Sequence, residues 1–246
     1  MGLVTPAVLP SSRKDLEEKL ALFARMPSVG RIQIDVVDGK FASPASWPSI
    51  KSDLILGTPS ELEQMVTEGY MLPRLDCIEY EIDLMCLDAE RAAALWLALG
   101  ATRLIFHAES TTDLPRLLAS VRGRFGAGDG FVPGLISYGL AMNIASDLAL
   151  LEPCLSEIQF VQFMGIARIG QQGQAFDPHV IKKVGEFRAK HPEIPVQVDG
   201  GVTLASAHEL TALGVTNLVV GSGILKASDP SKALAEFEKL RTSYGV

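Results

Sequence analysis

One alternation runs the length of the chain and limits what it can fold into. Short runs rich in Val, Ile and Leu are each followed by a longer amphipathic stretch. The runs are VTPAVL (4–9), RIQIDVV (31–37), CIEYEIDLM (77–85), TRLIFHA (102–108), GLISYGLAM (134–142), EIQFVQFM (157–164), IPVQVDG (194–200) and TNLVVGS (216–222). Helices are expected near 11–26, 58–70, 88–100, 111–125, 146–152, 177–191, 203–213 and 229–242. The apolar runs are continuous more than alternating, as in strands covered on both faces. Eight strand–helix units in 246 residues match a single (β/α)8 TIM barrel. A doubly wound open sheet is the competitor, but no GxGxxG follows the first run to favour it.

Local signals agree with the alternation. Thr58-Pro59, Asp177-Pro178 and Asp229-Pro230 each pair a capping side chain with a proline at a first helical turn. Gly100 and Gly214 stand where helices should stop. No linker rich in Pro, Gly or Ser divides the chain, so residues 1–246 are expected to form one barrel domain. The second-to-third strand connection, 40–76, is longer than a loop and helix require. Within it, SDLILG (52–57) reads as an extra strand or a piece of a lid.

Composition narrows the partners. With 48% hydrophobic and 21% charged residues, the chain can bury a sizeable core. A net charge of −7 without a basic run argues against nucleic acid. It leaves a small phosphorylated molecule open, because backbone amides bind phosphate without net positive charge. Three scattered cysteines with no CxxC point to a reducing compartment. The N-terminal MGLVTPAVLPSSRKD lacks the form of a secretory signal, and no apolar stretch is long enough to span a bilayer. A cytoplasmic protein with no membrane partner is expected.

In such barrels the chemistry sits at the C-terminal ends of the strands. The polar residues there are Gln33, Asp35 and Asp38, then Asp83, His107 with Glu109, Asp199, and the pair Gly221-Ser222. One strand-end carboxylate can simply cap a helix or pair with a lysine. Several at one mouth repel and raise each other's pKa, so a divalent cation, a shared proton or a basic neighbour must compensate. Cations are scarce at these strand ends, which favours a metal. VDGGV (198–202) and VVGSGI (219–224) place small residues after the seventh and eighth runs, where such barrels commonly hold phosphate. Met85 and Met164 are placed either at the pocket floor or in the core.

IDVVDGKF resembles the second-strand motif of ribulose-phosphate 3-epimerases, His-x-Asp-x-Met-Asp-Gly-x-Phe. The resemblance continues in order through IDLM (82–85), FHAES (106–110), GLAMN (139–143), GQAF (173–176), VDGGV and VVGSGI. It implies a barrel of the ribulose-phosphate-binding type and inversion of C3 in a ketopentose phosphate, D-ribulose 5-phosphate to D-xylulose 5-phosphate. Two aspartates would act as base and acid, with a metal stabilising the enediolate between the steps. Carried over by position, those aspartates are Asp35 and Asp199.

The family's metal ligands are His, Asp, His and Asp; here they read Gln33, Asp35, Asp83 and Asp199. An all-oxygen set favours Mg²⁺ or Mn²⁺ over Zn²⁺. His107 either adds a nitrogen ligand or positions Glu109. The early family serine is Ala7. The phosphate loop Asn-Pro-Gly-Phe-Gly-Gly-Gln reads ARIGQQGQ (167–174), which keeps Gly170 and Gly173, loses the proline and gains Arg168. Phosphate binding is thereby assigned to Gly170, Gly173, Gly200, Gly201, Gly221 and Ser222, and the pocket to Ala7, Met85, His107 and Met164. The resemblance also implies a homo-oligomer. Relatives that are decarboxylases or hexulose-phosphate synthases carry Asp-x-Lys-x-x-Asp on the third strand, where EYEIDLMC has no lysine. The alternative readings are a divergent sugar-phosphate binder that has lost catalysis, suggested by the two replaced histidines, and an epimerase of another ketose phosphate.

Overall fold

Parallel strands cannot be joined by a tight turn, so each must be followed by a crossover that returns the chain to the same end of the sheet. This chain makes the same return after every strand. The computed structural model describes residues 4–49, 59–126 and 135–244. The strands are β1 (Val4–Val8), β2 (Arg31–Val37), β3 (Glu79–Met85), β4 (Arg103–His107), β5 (Ser137–Met142), β6 (Phe160–Met164), β7 (Val196–Asp199) and β8 (Asn217–Val220). They pair in sequence order, all parallel, and β8 closes on β1. The chain is therefore a (β/α)8 barrel, not an open sheet.

The outer layer is α1 (Arg13–Phe23), α2 (Glu61–Thr67), α3 (Ala89–Ala98), α4 (Leu114–Phe125), α5 (His179–Lys190), α6 (Leu204–Ala212), the single turn α7 (Ser222–Leu225) and α8 (Pro230–Tyr244). The helix expected at 146–152 is replaced by two 3₁₀ segments, Leu148–Leu150 and Glu152–Glu157. Asp147 accepts a hydrogen bond from Ala149 N–H, and Pro153 lacks the donor that a continuing α-helix needs there. Helix α2 is capped by Ser60 in a reciprocal capping box with Glu63, just beyond the expected Thr58-Pro59 start. Asp229 caps α8 as expected, by accepting from Lys232 N–H. Thr58 and the SDLILG segment lie outside the described residues. Among the described residues, no helix is long and apolar enough to cross a membrane.

Strand alternation sorts each run into two faces. Ile32, Ile34 and Val36 of β2, Tyr80, Ile82 and Leu84 of β3, and Leu104 and Phe106 of β4 join the main apolar core beneath the helices. The intervening residues point into the barrel. Hydrogen bonds between strands that are not neighbours establish this, since only the interior connects them: Gln33 (β2) to Asp199 (β7), Gln162 (β6) to Asp83 (β3), and Gln197 (β7) to Glu81 (β3). The runs look continuously apolar because the outward positions are apolar throughout, while inward ones mix small, apolar and polar groups.

At the N-terminal end of the barrel, Arg103 pairs with buried Glu81 at 2.7 Å and stacks over the Phe160 ring, 4.1 Å from its centroid. Gly139 makes room for that ring, because a Cβ there would lie 2.4 Å from Phe160 ring atoms. Gly139→Ala is therefore expected to destabilise the fold by about 1–3 kcal/mol, the usual penalty for overpacking a filled core. Urea unfolding should show this as a lower midpoint with an unchanged slope.

Candidate active site

The register of β2 against β3 sets Asp35 beside Asp83. Asp199 ends β7, opposite them across the barrel. Their oxygens meet: one atom from each of the three carboxylates lies within 4.8 Å of the others, and all three residues are buried. Gln33, one pleat below Asp35, donates from a single amide nitrogen to Asp35 Oδ1 and to Asp199 Oδ2, both at 2.8 Å. Gln33 was expected to turn an oxygen toward a metal. Instead its nitrogen faces the acids, and its Oε1 is buried without a partner among the described residues.

Asp83 is held on its other sides. His107 Nε2 lies 2.9 Å from its Oδ1, and Gln162 Nε2 donates to its Oδ2 at 3.0 Å. His107 thus positions Asp83 and not Glu109, which accepts instead from Asn143 N–H and the Ser146 hydroxyl. Behind Gln162 runs a one-way chain of donors. Thr5 donates to Asn217, Asn217 to Gln197, and Gln197 to Gln162. Each link polarises the next, which strengthens the last bond, the one to Asp83.

Burial without a cation raises acid pKa values. Asp35 is pushed up to about 7, first by desolvation and then by the charge of Asp83, against the lowering effect of its bond from Gln33. Asp199 is held well above the usual carboxylate range by desolvation and then by Asp35 and Asp83. No lysine or arginine bonds to any of the three carboxylates among the described residues. Asp38, by contrast, is structural. It accepts from Lys40 and Phe41 N–H and from Leu87 N–H, which ties the loops after β2 and β3 together.

The remaining expected residues ring this cluster. Ala7 is buried beside Gln33 in the register of β1 on β2. Met85 packs with Val37 and Ala42, and Met164 with Ile105, Ala141 and Phe160, so both serve as apolar wall. Gly200 and Gly201 follow β7, and Gly221 and Ser222 follow β8. The loop after β6 lies against them. At Gly201, where φ is +65°, a Cβ would sit 2.6 Å from Phe176 N. Gly173 approaches Lys226 in the same way. Gly170 is not with this group; it packs against Val37 and Ala42 on the β2 side. Arg168 is exposed, its backbone held by the Gln174 side chain.

Two residues escaped the sequence reading. Gln162 could have been found by alternation, since it shares a face with Met164. Gln172 could have been found as a glutamine where the family loop has glycine. Its amide nitrogen lies 3.4 Å from Ala7 O and 3.5 Å from Asp35 Oδ2.

Comparison with known proteins agrees with this geometry. The crystal structure of 3-hexulose-6-phosphate synthase from Salmonella typhimurium superposes with a TM-score of 0.66 at 14% identity, covering 99% of this chain and 100% of that one. The structure of KGPDC from Streptococcus mutans in complex with a pentose 5-phosphate does so with a TM-score of 0.65 at 14% identity, over 98% and 97%. At that identity these two show the fold alone. Ribulose-phosphate 3-epimerase of Mycobacterium leprae is 28% identical over 244 residues, covering 96% of this chain and 94% of its own. The Escherichia coli K12 enzyme of the same name is 25% identical over 238 residues, covering 95% and 93%. The family described as ribulose-phosphate 3 epimerase matches residues 61–225. Over most of its length, then, this chain belongs to the ribulose-phosphate 3-epimerase family.

Proposed function

We propose that this protein inverts C3 of a ketopentose phosphate, interconverting D-ribulose 5-phosphate and D-xylulose 5-phosphate, with Asp35 and Asp199 as the proton-transfer pair. The observation that carries the reading is the Gln33 bridge, which holds two carboxylates from opposite sides of the barrel at 2.8 Å each from one amide nitrogen. A carbon set between two such groups meets one carboxyl on each face. The ionised one removes the C3 proton, and the protonated one delivers a proton to the other face. Acids with raised pKa values suit this task, because a base and an acid must coexist near neutral pH. The absence of lysine from β3 argues against the decarboxylase and synthase chemistry of other barrels of this type.

The site fits a hard divalent cation, Mg²⁺ or Mn²⁺ in preference to Zn²⁺. Its donors are the oxygens of Asp35, Asp83 and Asp199, and a half-turn of the Gln33 amide would add its unpartnered Oε1. When bound, such a cation supplies a positive charge for the oxyanion that develops beside C3. The chain's own contribution is to bury and orient the acids and to hold Asp83 by His107 and Gln162. A small phosphorylated sugar is the ligand this reading requires. The pentose 5-phosphate bound in the Streptococcus mutans neighbour supports that class.

Two outcomes test the reading. With Mg²⁺ or Mn²⁺ present, D-ribulose 5-phosphate in deuterated water should exchange its C3 hydrogen. Asp35→Asn and Asp199→Asn should each slow exchange by about 10³-fold, within the range for removal of a general acid or base. Tight binding of the sugar phosphate without exchange would instead identify a binding protein. The second outcome concerns stability. Asp35 in the unfolded chain loses its proton near 3.8, and in the fold near 7. Between those values the folded state holds more protons, so stability must fall as pH rises. Cation-free protein should therefore be more resistant to urea at the acid end of this window. Asp35→Asn should flatten the slope, and Mg²⁺ or Mn²⁺ should restore stability at its alkaline end.

A further inference from the structure

Gln172 occupies a place that neither the proton-transfer pair nor the glycine turns account for. It lies on the loop between β6 and α5 and is half-buried, with its side chain reaching in over the barrel mouth. Its amide nitrogen is 3.5 Å from Asp35 Oδ2 and 3.4 Å from the Ala7 carbonyl. The same nitrogen lies 2.5 Å from where a Cβ on Gly221 would be. The amide thus sits between the acid that handles C3 and the turn after β8. Gly221 is open for this side chain, and any larger residue there would expel it.

The two hydrogen bonds are at the long limit, so the amide is aimed but only loosely held. Asp35 and Ala7 O both accept, which leaves the amide as the donor at this point. The methyl of Ala7 contributes no hydrogen bond of its own. A donor in this state can re-aim onto an incoming oxygen at little cost, whereas a tightly bonded one cannot. In a ketopentose 5-phosphate with C3 at the acids and the phosphate at the turns after β7 and β8, two carbons lie between them, C4 and C5. C5 carries the phosphate ester, so the free hydroxyl of that stretch is the one on C4.

We propose that Gln172 is a substrate-binding and specificity-determining residue, whose amide leaves Asp35 and the Ala7 carbonyl to hold the C4 hydroxyl of the ketose phosphate. The inference rests on the reading of Asp35 and Asp199 given above and adds a contact to it. It makes the loop after β6 part of sugar recognition as well as phosphate recognition. It also releases Asp35 from one bond at the moment the substrate arrives.

The test pairs a substrate change with a side-chain change. D-ribulose 5-phosphate is compared with its 4-deoxy analogue in the wild type, in Gln172→Met, which keeps the volume against Gly221, and in Gln172→Ala. The wild type should prefer the parent compound by about tenfold in kcat/KM, the worth of one hydrogen bond. In both variants the ratio should fall to about one, through slower turnover of the parent and not faster turnover of the analogue. A purely structural loop role would lower both substrates together. An unchanged ratio, or variants faster than wild type because a plug has been removed, would overturn the proposal. Calorimetric binding of both compounds separates the two readings. If the wild type binds without turnover but still discriminates through Gln172, the catalytic reading fails and this one stands. If it turns over normally with no loss of discrimination in the variants, this one fails alone. If it binds neither compound, both fail.

Discussion

Everything at the mouth of this barrel follows from three carboxylates buried within 4.8 Å of one another. Such a group cannot exist fully ionised in a low-dielectric interior without compensation. Among the described residues no lysine or arginine bonds to them, and the buried imidazole of His107 hydrogen-bonds Asp83. Compensation must then come from protons or from a bound cation. The raised pKa values of Asp35 and Asp199 express the first; the all-oxygen donor set invites the second.

Barrel closure makes this crowding tolerable. Because β1 to β8 form a ring, side chains from β2, β3 and β7 converge although they come from distant parts of the sequence. The interior then supplies donors in layers. Thr5, Asn217, Gln197 and Gln162 pass one line of hydrogen bonds toward Asp83, while Gln33 spans the gap between Asp35 and Asp199. Lower in the same interior, the Glu81–Arg103 pair and the Phe160 ring fill the space. Rigidity at the mouth rests on that filling, since a close-packed layer transmits displacement instead of absorbing it.

The architecture was legible because its signal is repeated. Eight apolar runs of strand length, with glycine or proline at the boundaries, leave few other folds, and β2 was placed at its observed bounds. The convergence of Asp35, Asp83 and Asp199 was legible too, since strand ends of a barrel share one rim. What a one-dimensional reading could not supply was which atom faces which. Spacing treats Gln33 as an oxygen donor, yet its nitrogen faces the acids; it leaves His107 as either a nitrogen ligand or a partner of Glu109, and the ring reaches Asp83. Both are orientations about terminal torsions, fixed by three-dimensional neighbours and invisible to spacing. Over 146–152, where the apolar pattern predicts a helix, the Asp147 side chain takes the N–H of Ala149 and the chain forms 3₁₀ turns.

Amide side chains dominate the donors here, and this choice has a chemical consequence. A lysine or arginine against Asp35 would hold it ionised and keep its pKa low, making it a weak base and no acid at all near neutral pH. An amide orients a carboxylate without contributing charge and without titrating. Gln33 and Gln162 therefore orient the acids without adding charge, while Gln172 gives Asp35 only a long bond; the bonds from Gln33 and Gln172 lower the pKa of Asp35, and burial with the charge of Asp83 outweighs them.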